Sequence, residues 1–261
     1  MNILEVTTQQ AESLRILFDA LKDILLETSI EFNTESGMKI SKASLSKTML
    51  INVKLSAENF STFMVQNNKL IAGIDLRKLY KLIEGVNNYD TLTLCIEGNN
   101  KYVLNVKTDN FKKNKNTISN LNLLDLVDPE LTFPVKEFDA VITMNSKEFH
   151  KICSDMNQIG KYVEIKCSSD KLIFTCEGDF GNTKITYTSK DESSVKVQTP
   201  GTKSDVQGLY HLDDLILFSP YVDLCKDIHI YMMNDFPLVI KYIVGTLGHV
   251  CIFFAPINRS V

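Results

Sequence analysis

Four histidines and six cysteines are the side chains best suited to nucleophilic or metal chemistry. Their spacing withholds it. His150, His211, His229 and His249 form neither HExxH nor HxH, and none stands at a zinc-site distance from a cysteine. His150 and Cys153 are three apart on a predicted helix, but Cys153 falls on the apolar stripe, where a thiolate is costly. Gly178 and Gly181 flank Asp179-Phe180 without the GxGxxG or GxxxxGK[ST] context and without a following helix, so they read as a strand-to-strand turn. Lys112, Lys113 and Lys115 in NFKKNKNT read as a solvated loop or a protected strand edge. No catalytic residue, cofactor or metal is expected from these patterns.

Cys95, Cys153, Cys167, Cys176, Cys225 and Cys251 are scattered in apolar contexts with no CxxC pair, so buried reduced thiols are expected. The opening MNILEVTTQQAESL carries no basic region followed by an apolar run, and no stretch reaches the roughly 18 apolar residues of a membrane span. An intracellular protein away from membranes is the expectation. The 261 residues, 44% apolar and 23% charged, suffice for one or two globular cores. A formal charge of −4 argues against holding polyanions by bulk positive charge.

Short runs rich in Val, Ile, Thr and Phe dominate, and four helical patterns interrupt them. The first stripe is Leu14, Leu17, Phe18, Leu21 and Leu25; the second, after an Asp75 cap, is Leu76, Leu79, Tyr80 and Ile83. The third starts at Asn145 or Ser146, with Glu148 able to reach back to the Asn145 amide, and buries Phe149, Ile152, Cys153 and Met156. The fourth runs from Leu212 to about Phe218, before Pro220. The offset from Leu14 to Phe149 matches that from Leu76 to Leu212 within one residue, and the turn at Glu35-Ser36-Gly37 recurs at Ser168-Ser169-Asp170. A duplicated unit follows: domains at 1–119 and 138–261, joined by a 120–137 connector. That connector is unusually apolar, with Leu121, Leu123, Leu124, Leu126, Val127, Leu131 and Phe133. Positive charge collects on three helices, at Arg15 and Lys22, at Arg77, Lys78 and Lys81, and at Lys147 and Lys151.

Ala20-Leu21-Lys22-Asp23, the run Phe149 to Met156 with Ile159-Gly160, and Gly178-Asp179-Phe180-Gly181-Asn182 carry a resemblance to a known family. Phe236-Pro237-Leu238-Val239, Gly248-His249 and Phe253-Phe254-Ala255-Pro256 extend it through the second half. The sequence resembles the sliding DNA clamps of the proliferating cell nuclear antigen (PCNA) type. The resemblance implies an α+β DNA-clamp fold: two similar domains, each with two helices packed on antiparallel sheets, in subunits that close as a homotrimeric ring around duplex DNA.

On that resemblance, Arg15, Lys22, Arg77, Lys78, Lys81, Lys147 and Lys151 would face DNA phosphate without reading sequence. Asp213 and Asp214 on the fourth helix, with Glu84 and Ser154, stand where the family usually presents basic residues. Lys115, Ile118 and Leu121 of one subunit would meet Asn182, Lys184, Ile185 and Tyr187 of the next. Docking peptides of DNA polymerase and other enzymes would bind at Ala43, Lys47, Leu50, Leu131, Phe133, Pro134, Phe138, Pro237, Phe253, Ala255 and Pro256. Here Lys47 replaces a frequent histidine and Phe253 a common tyrosine. The implied function is a non-enzymatic polymerase processivity factor of replication and repair, opened by an ATP-dependent clamp loader, in a nucleus or a viral replication compartment. Rival readings are a clamp relative acting as a monomer or in a heterotrimer, and an enzyme with an unrecognised site.

Overall fold

The computed structural model describes residues 1–126, 131, 137–168, 171–188, 195–198 and 205–257. The chain divides into two compact units, and the division cuts across chain order. Unit 1 comprises Met1–Leu45, Ile51–Leu131 and Ile243–Val250; unit 2 comprises Ser46–Leu50, Thr132–Tyr242 and Cys251–Val261.

The first half of the chain runs β1 (Asn2–Thr8), α1 (Ala11–Leu25), β2 (Glu27–Asn33), β3 (Gly37–Ala43), β4 (Met49–Leu55), β5 (Thr62–Val65), β6 (Lys69–Asp75), α2 (Leu76–Ile83), β7 (Asp90–Glu97), β8 (Asn100–Asn110) and β9 (Lys115–Asn122). The second runs β10 (Ala140–Asn145), α3 (Ser146–Asn157), β11 (Tyr162–Cys167), β12 (Lys171–Gly178), β13 (Gly181–Thr188), β14 (Lys196–Gln198), β15 (Val206–His211), α4 (Leu212–Phe218), β16 (Asp227–Met232), β17 (Leu238–Val244) and β18 (Gly248–Phe254). Both halves read strand, helix, five strands, helix, three strands. Strand neighbours repeat as well: β5-β1-β7-β8 corresponds to β14-β10-β16-β17, and β4-β3-β2-β6 to β13-β12-β11-β15. This is the duplication expected from the helix offsets.

Local chemistry explains the helix limits. The Asp75 carboxylate accepts from the Lys78 amide at 3.0 Å and opens α2; the Asn145 side chain accepts from the Lys147 and Glu148 amides at 3.0 and 3.4 Å and opens α3. α1 stops because Leu26 turns to φ 58, and its carbonyl then accepts from Leu76 N at 2.7 Å. The hairpin into β3 needs Gly37, at φ +86, where a Cβ would sit 2.0 Å from the Leu55 carbonyl.

Leu14, Leu17, Phe18, Leu21 and Leu25 of α1 are buried with Leu76, Leu79 and Ile83 of α2. Each such side chain removed from water contributes about 1.5–3 kcal/mol. In unit 2 the same work falls to Phe149, Ile152, Cys153 and Met156 of α3 and to Leu212, Leu215 and Phe218 of α4, with the Phe218 and Tyr242 rings 4.7 Å apart.

Tyr80 is half-buried, and Lys22 Nζ lies 4.8 Å from its ring centroid. The Glu148 carboxylate is placed elsewhere than on the Asn145 amide: its Oε1 accepts the Tyr187 O–H at 2.6 Å. None of the six cysteines forms a disulfide, and Cys95, Cys153, Cys167 and Cys176 are buried, whereas Cys225 and Cys251 are half-buried. Ser169 and Asp170 of the second hairpin lie outside the described residues.

Candidate nucleic-acid and partner surfaces

The candidate phosphate-facing residues of unit 1 lie on the polar sides of α1 and α2, opposite the buried stripes. Most of their cations are engaged. Lys22 Nζ lies 2.6 Å from Asp19 Oδ1 and 3.1 Å from Asp23 Oδ2, and it also donates to the Asp19 carbonyl at 3.2 Å. Arg77 Nη2 reaches Asp23 Oδ1 at 3.1 Å, so Asp23 bridges the two helices. Partial burial opposes ionisation of Asp23, yet hydrogen bonds and charge from Lys22 and Arg77 hold its carboxyl below the usual range. Lys78 pairs with the capping Asp75 at 3.0 Å and Arg15 with Glu12 at 3.6 Å; the Arg15 Nε is buried with no hydrogen-bond partner among the described residues. Lys81 stands exposed.

In unit 2, Lys147 and Lys151 are exposed on α3, one turn apart. His150 Nδ1 is 3.1 Å from Ser219 Oγ, and His229 Nδ1 is 3.0 Å from Thr143 Oγ1, so both hold structure. Burial pushes the Cys153 thiol far up, which removes it as a nucleophile. On α4, Asp213 is exposed and Asp214 accepts from Thr48 Oγ1 at 2.9 Å.

The candidate docking residues divide between the units. Ala43 and Leu131, both half-buried, belong to unit 1. Lys47, Leu50, Phe138, Pro237, Phe253, Ala255 and Pro256 belong to unit 2. Within unit 2, Phe138 packs against Tyr231 and Phe236, with centroids 5.2 and 5.8 Å apart. Phe253 is half-buried while its neighbours Ile252 and Phe254 are buried, which leaves it on the outward side of β18. Ala255 N donates to Thr48 O at 3.0 Å, and the exposed Lys47 at φ 59 turns the chain there. Phe133 and Pro134 lie outside the described residues.

Sequence reasoning misses Tyr231 and Phe236. Tyr231 alternates with the buried Ile230 and Met232 and so faces outward, while burial raises its hydroxyl pKa, with Cys251 adding to the shift. Such alternation in β16 is a readable signal for an outward-facing aromatic.

The candidate interface strands β9 and β13 each end a sheet. β9 leaves Lys115, Asn116, Thr117 and Ile118 outward, Ile118 by 60%, but its Leu121 is 6% exposed and faces the core. On β13, Asn182, Lys184 and Thr186 are exposed, alternating with the half-buried Ile185 and Tyr187. Burial and Glu148 both raise the Tyr187 hydroxyl, which therefore stays protonated and donates.

β4 and β18 are the duplicates of β13 and β9, and each is shared between the units. Two of their contacts each fall within a single unit. A Cβ on Gly248 would lie 2.1 Å from Lys54 O in unit 1, and the Ala255 to Thr48 bond is in unit 2. Among the described residues, their copies β9 and β13 have no such neighbour on that edge.

Residues 3–130 match the model of the proliferating cell nuclear antigen N-terminal domain, and residues 132–257 that of its C-terminal domain. The chain is 32% identical over 227 residues to a probable DNA polymerase sliding clamp of Acanthamoeba polyphaga mimivirus, covering 86% of this chain and 48% of that protein, about half its length. It is 27% identical to probable DNA polymerase sliding clamp 1 of Paramecium bursaria Chlorella virus 1, over 98% of this chain and 97% of that one. Identity to the proliferating cell nuclear antigen of Chaetomium thermophilum is 28%, over 97% of this chain and 98% of the other.

Proposed function

Because the chain belongs to the proliferating cell nuclear antigen family, matched in succession by both of its domain models, we propose that it is a homotrimeric sliding clamp that encircles duplex DNA. It acts as a non-catalytic processivity factor for a DNA polymerase. The observation that carries the ring is the pair of open edges: β4 and β18 lie side by side, and their duplicates β13 and β9 are the edges that a second copy would fill. Pairing β9 of one chain with β13 of the next closes every such edge, as a heterologous contact that returns on itself after three copies requires.

Topology then substitutes for affinity. A closed ring does not leave DNA sideways, so sparse, salt-sensitive phosphate contacts from Arg15, Lys22, Arg77, Lys78, Lys81, Lys147 and Lys151 suffice and leave sequence unread. Asp213 and Asp214 make α4 the weakest of the four helices for that contact. The partner surface holds Ala43, Lys47, Leu50, Leu131, Phe133, Pro134, Phe138, Pro237, Phe253, Ala255 and Pro256, now joined by Tyr231 and Phe236. Its aromatic and apolar surface suits a short peptide carrying an aliphatic and an aromatic anchor. An ATP-driven loader opens the ring, in a nucleus or a viral replication compartment.

Light scattering tests the assembly. The expected mass is three times 29.5 kDa at micromolar concentration, and a single-chain mass refutes the homotrimer. Phe138→Ala with Phe253→Ala should leave that mass unchanged while peptide binding by calorimetry falls at least tenfold, as loss of two anchors entails. Undiminished binding refutes the pocket.

A further inference from the structure

On the unit 1 part of the surface just assigned to DNA, carboxylates already occupy most of the cations. Lys22 has three N–H donors. Asp19 Oδ1, the Asp19 carbonyl and Asp23 Oδ2 lie at 2.6, 3.2 and 3.1 Å from its Nζ, and Tyr80 supports it from below at 4.8 Å. Arg77 shares Asp23 at 3.1 Å. Two cations and two carboxylates cancel, so the α1–α2 cluster exerts almost no long-range pull on a polyanion. The distances are those at which a phosphate oxygen would sit. To contact DNA, Lys22 must exchange one oxyanion for another.

We infer that Asp19 and Asp23 are internal counter-ions that compete with duplex phosphate for Lys22 and Arg77, and so keep each contact brief. The inference rests on the DNA-facing reading of α1 and α2. The pair of Arg77 and Asp23, 57% and 53% exposed, is solvated enough to be weak and exchangeable, while Lys22 and Asp19, at 20% and 26%, are more enclosed. Breaking the exposed pair in favour of phosphate is close to isoenergetic, and the carboxylate recaptures the cation when the phosphate moves on. Asp19 and Asp23 are therefore positioning residues that touch no DNA themselves. The chain contains its own comparison: Lys69 pairs with Glu31 at 2.9 Å on β6 and β2, the same chemistry away from these helices.

The test titrates the full chain into a fluorescein-labelled duplex of about 30 base pairs, by anisotropy at about 50 and 200 mM salt. Every additional phosphate neutralised steepens the slope of log K against log salt by about 0.9, which enlarges the affinity loss between those salts about threefold. Asp19→Asn with Asp23→Asn is expected to bind about three- to tenfold tighter at the lower salt and to steepen the slope by about 1–2. Lys22→Ala with Lys81→Ala should bind more weakly with a shallower slope, and Glu31→Gln should match wild type. If the lysine variant weakens binding while the aspartate variant does not tighten it, the counter-ion proposal falls and the DNA-facing reading stands. Equal tightening by Glu31→Gln also overturns it, because the effect would then be bulk charge. No change in the lysine variant refutes the DNA-facing reading and the proposal with it. Melting temperatures of all variants establish that each is folded.

Discussion

Ile118 offers the sharpest test of the open-edge argument. It sits in β9, 60% exposed, directly opposite Lys107 of β8. Fully burying an isoleucine contributes about 1.5–3 kcal/mol, so covering the exposed share in a β9–β13 joint contributes about 1–2 kcal/mol. Ile118→Asp removes that contribution and places a carboxylate against the incoming strand, where incomplete hydration costs at least as much again. The combined penalty is about 3 kcal/mol per joint, roughly a hundredfold in dissociation constant, and threefold symmetry applies it at every joint. In the isolated chain the new carboxylate meets Lys107 and water, so folding should be unaffected. The assay is light scattering after gel filtration at about 1 μM, with far-ultraviolet circular dichroism and a melting curve on the same samples. Wild type should elute as a trimer and Ile118→Asp as a folded single chain. A variant that keeps the trimer mass refutes the assignment of β9 to the joint.

Two further predictions concern stability. Asp75→Ala removes the α2 cap and should destabilise by about 1 kcal/mol at pH 7. The folded Asp75 carboxyl lies below its ordinary value, because Lys78 outweighs partial burial, so its contribution is present above about pH 3.8 and disappears as pH falls through the depressed value. Urea midpoints of variant and wild type should accordingly converge as the pH falls below 3.8, and a constant gap would refute the linkage. Gly178→Ala places a methyl 1.7 Å from the Ile159 carbonyl, where only backbone movement relieves the clash. A melting temperature lowered by several degrees is expected, and an unchanged one would mean that the turn at Asp179-Phe180 relaxes freely.

Helices are the most legible part of the fold because 3.6-residue periodicity and caps are local signals: the caps at Asp75 and Asn145 and the Leu212–Phe218 helix stand where the sequence puts them. Duplication is visible through helix offsets alone, yet its strongest expression, the repeated order of strand neighbours, depends on pairings distant in sequence. Charge on the helix faces is legible as to position but not as to state. Nothing in the spacing of Asp19, Lys22, Asp23 and Arg77 reveals that one carboxylate serves two helices, since that depends on how α1 packs on α2. Tyr187 reads from sequence as an interface residue alone, and only the fold brings its hydroxyl to Glu148, 39 residues away in sequence.

The two edges proposed to join are different strands, β9 at one and β13 at the other. A joint between unlike edges has a direction, so successive copies are related by rotation and never by a flip. The ring proposed above would therefore have a front and a back that differ chemically, and its three proposed docking surfaces would all open on one side. A polymerase docked there would travel with a fixed heading relative to the proposed ring.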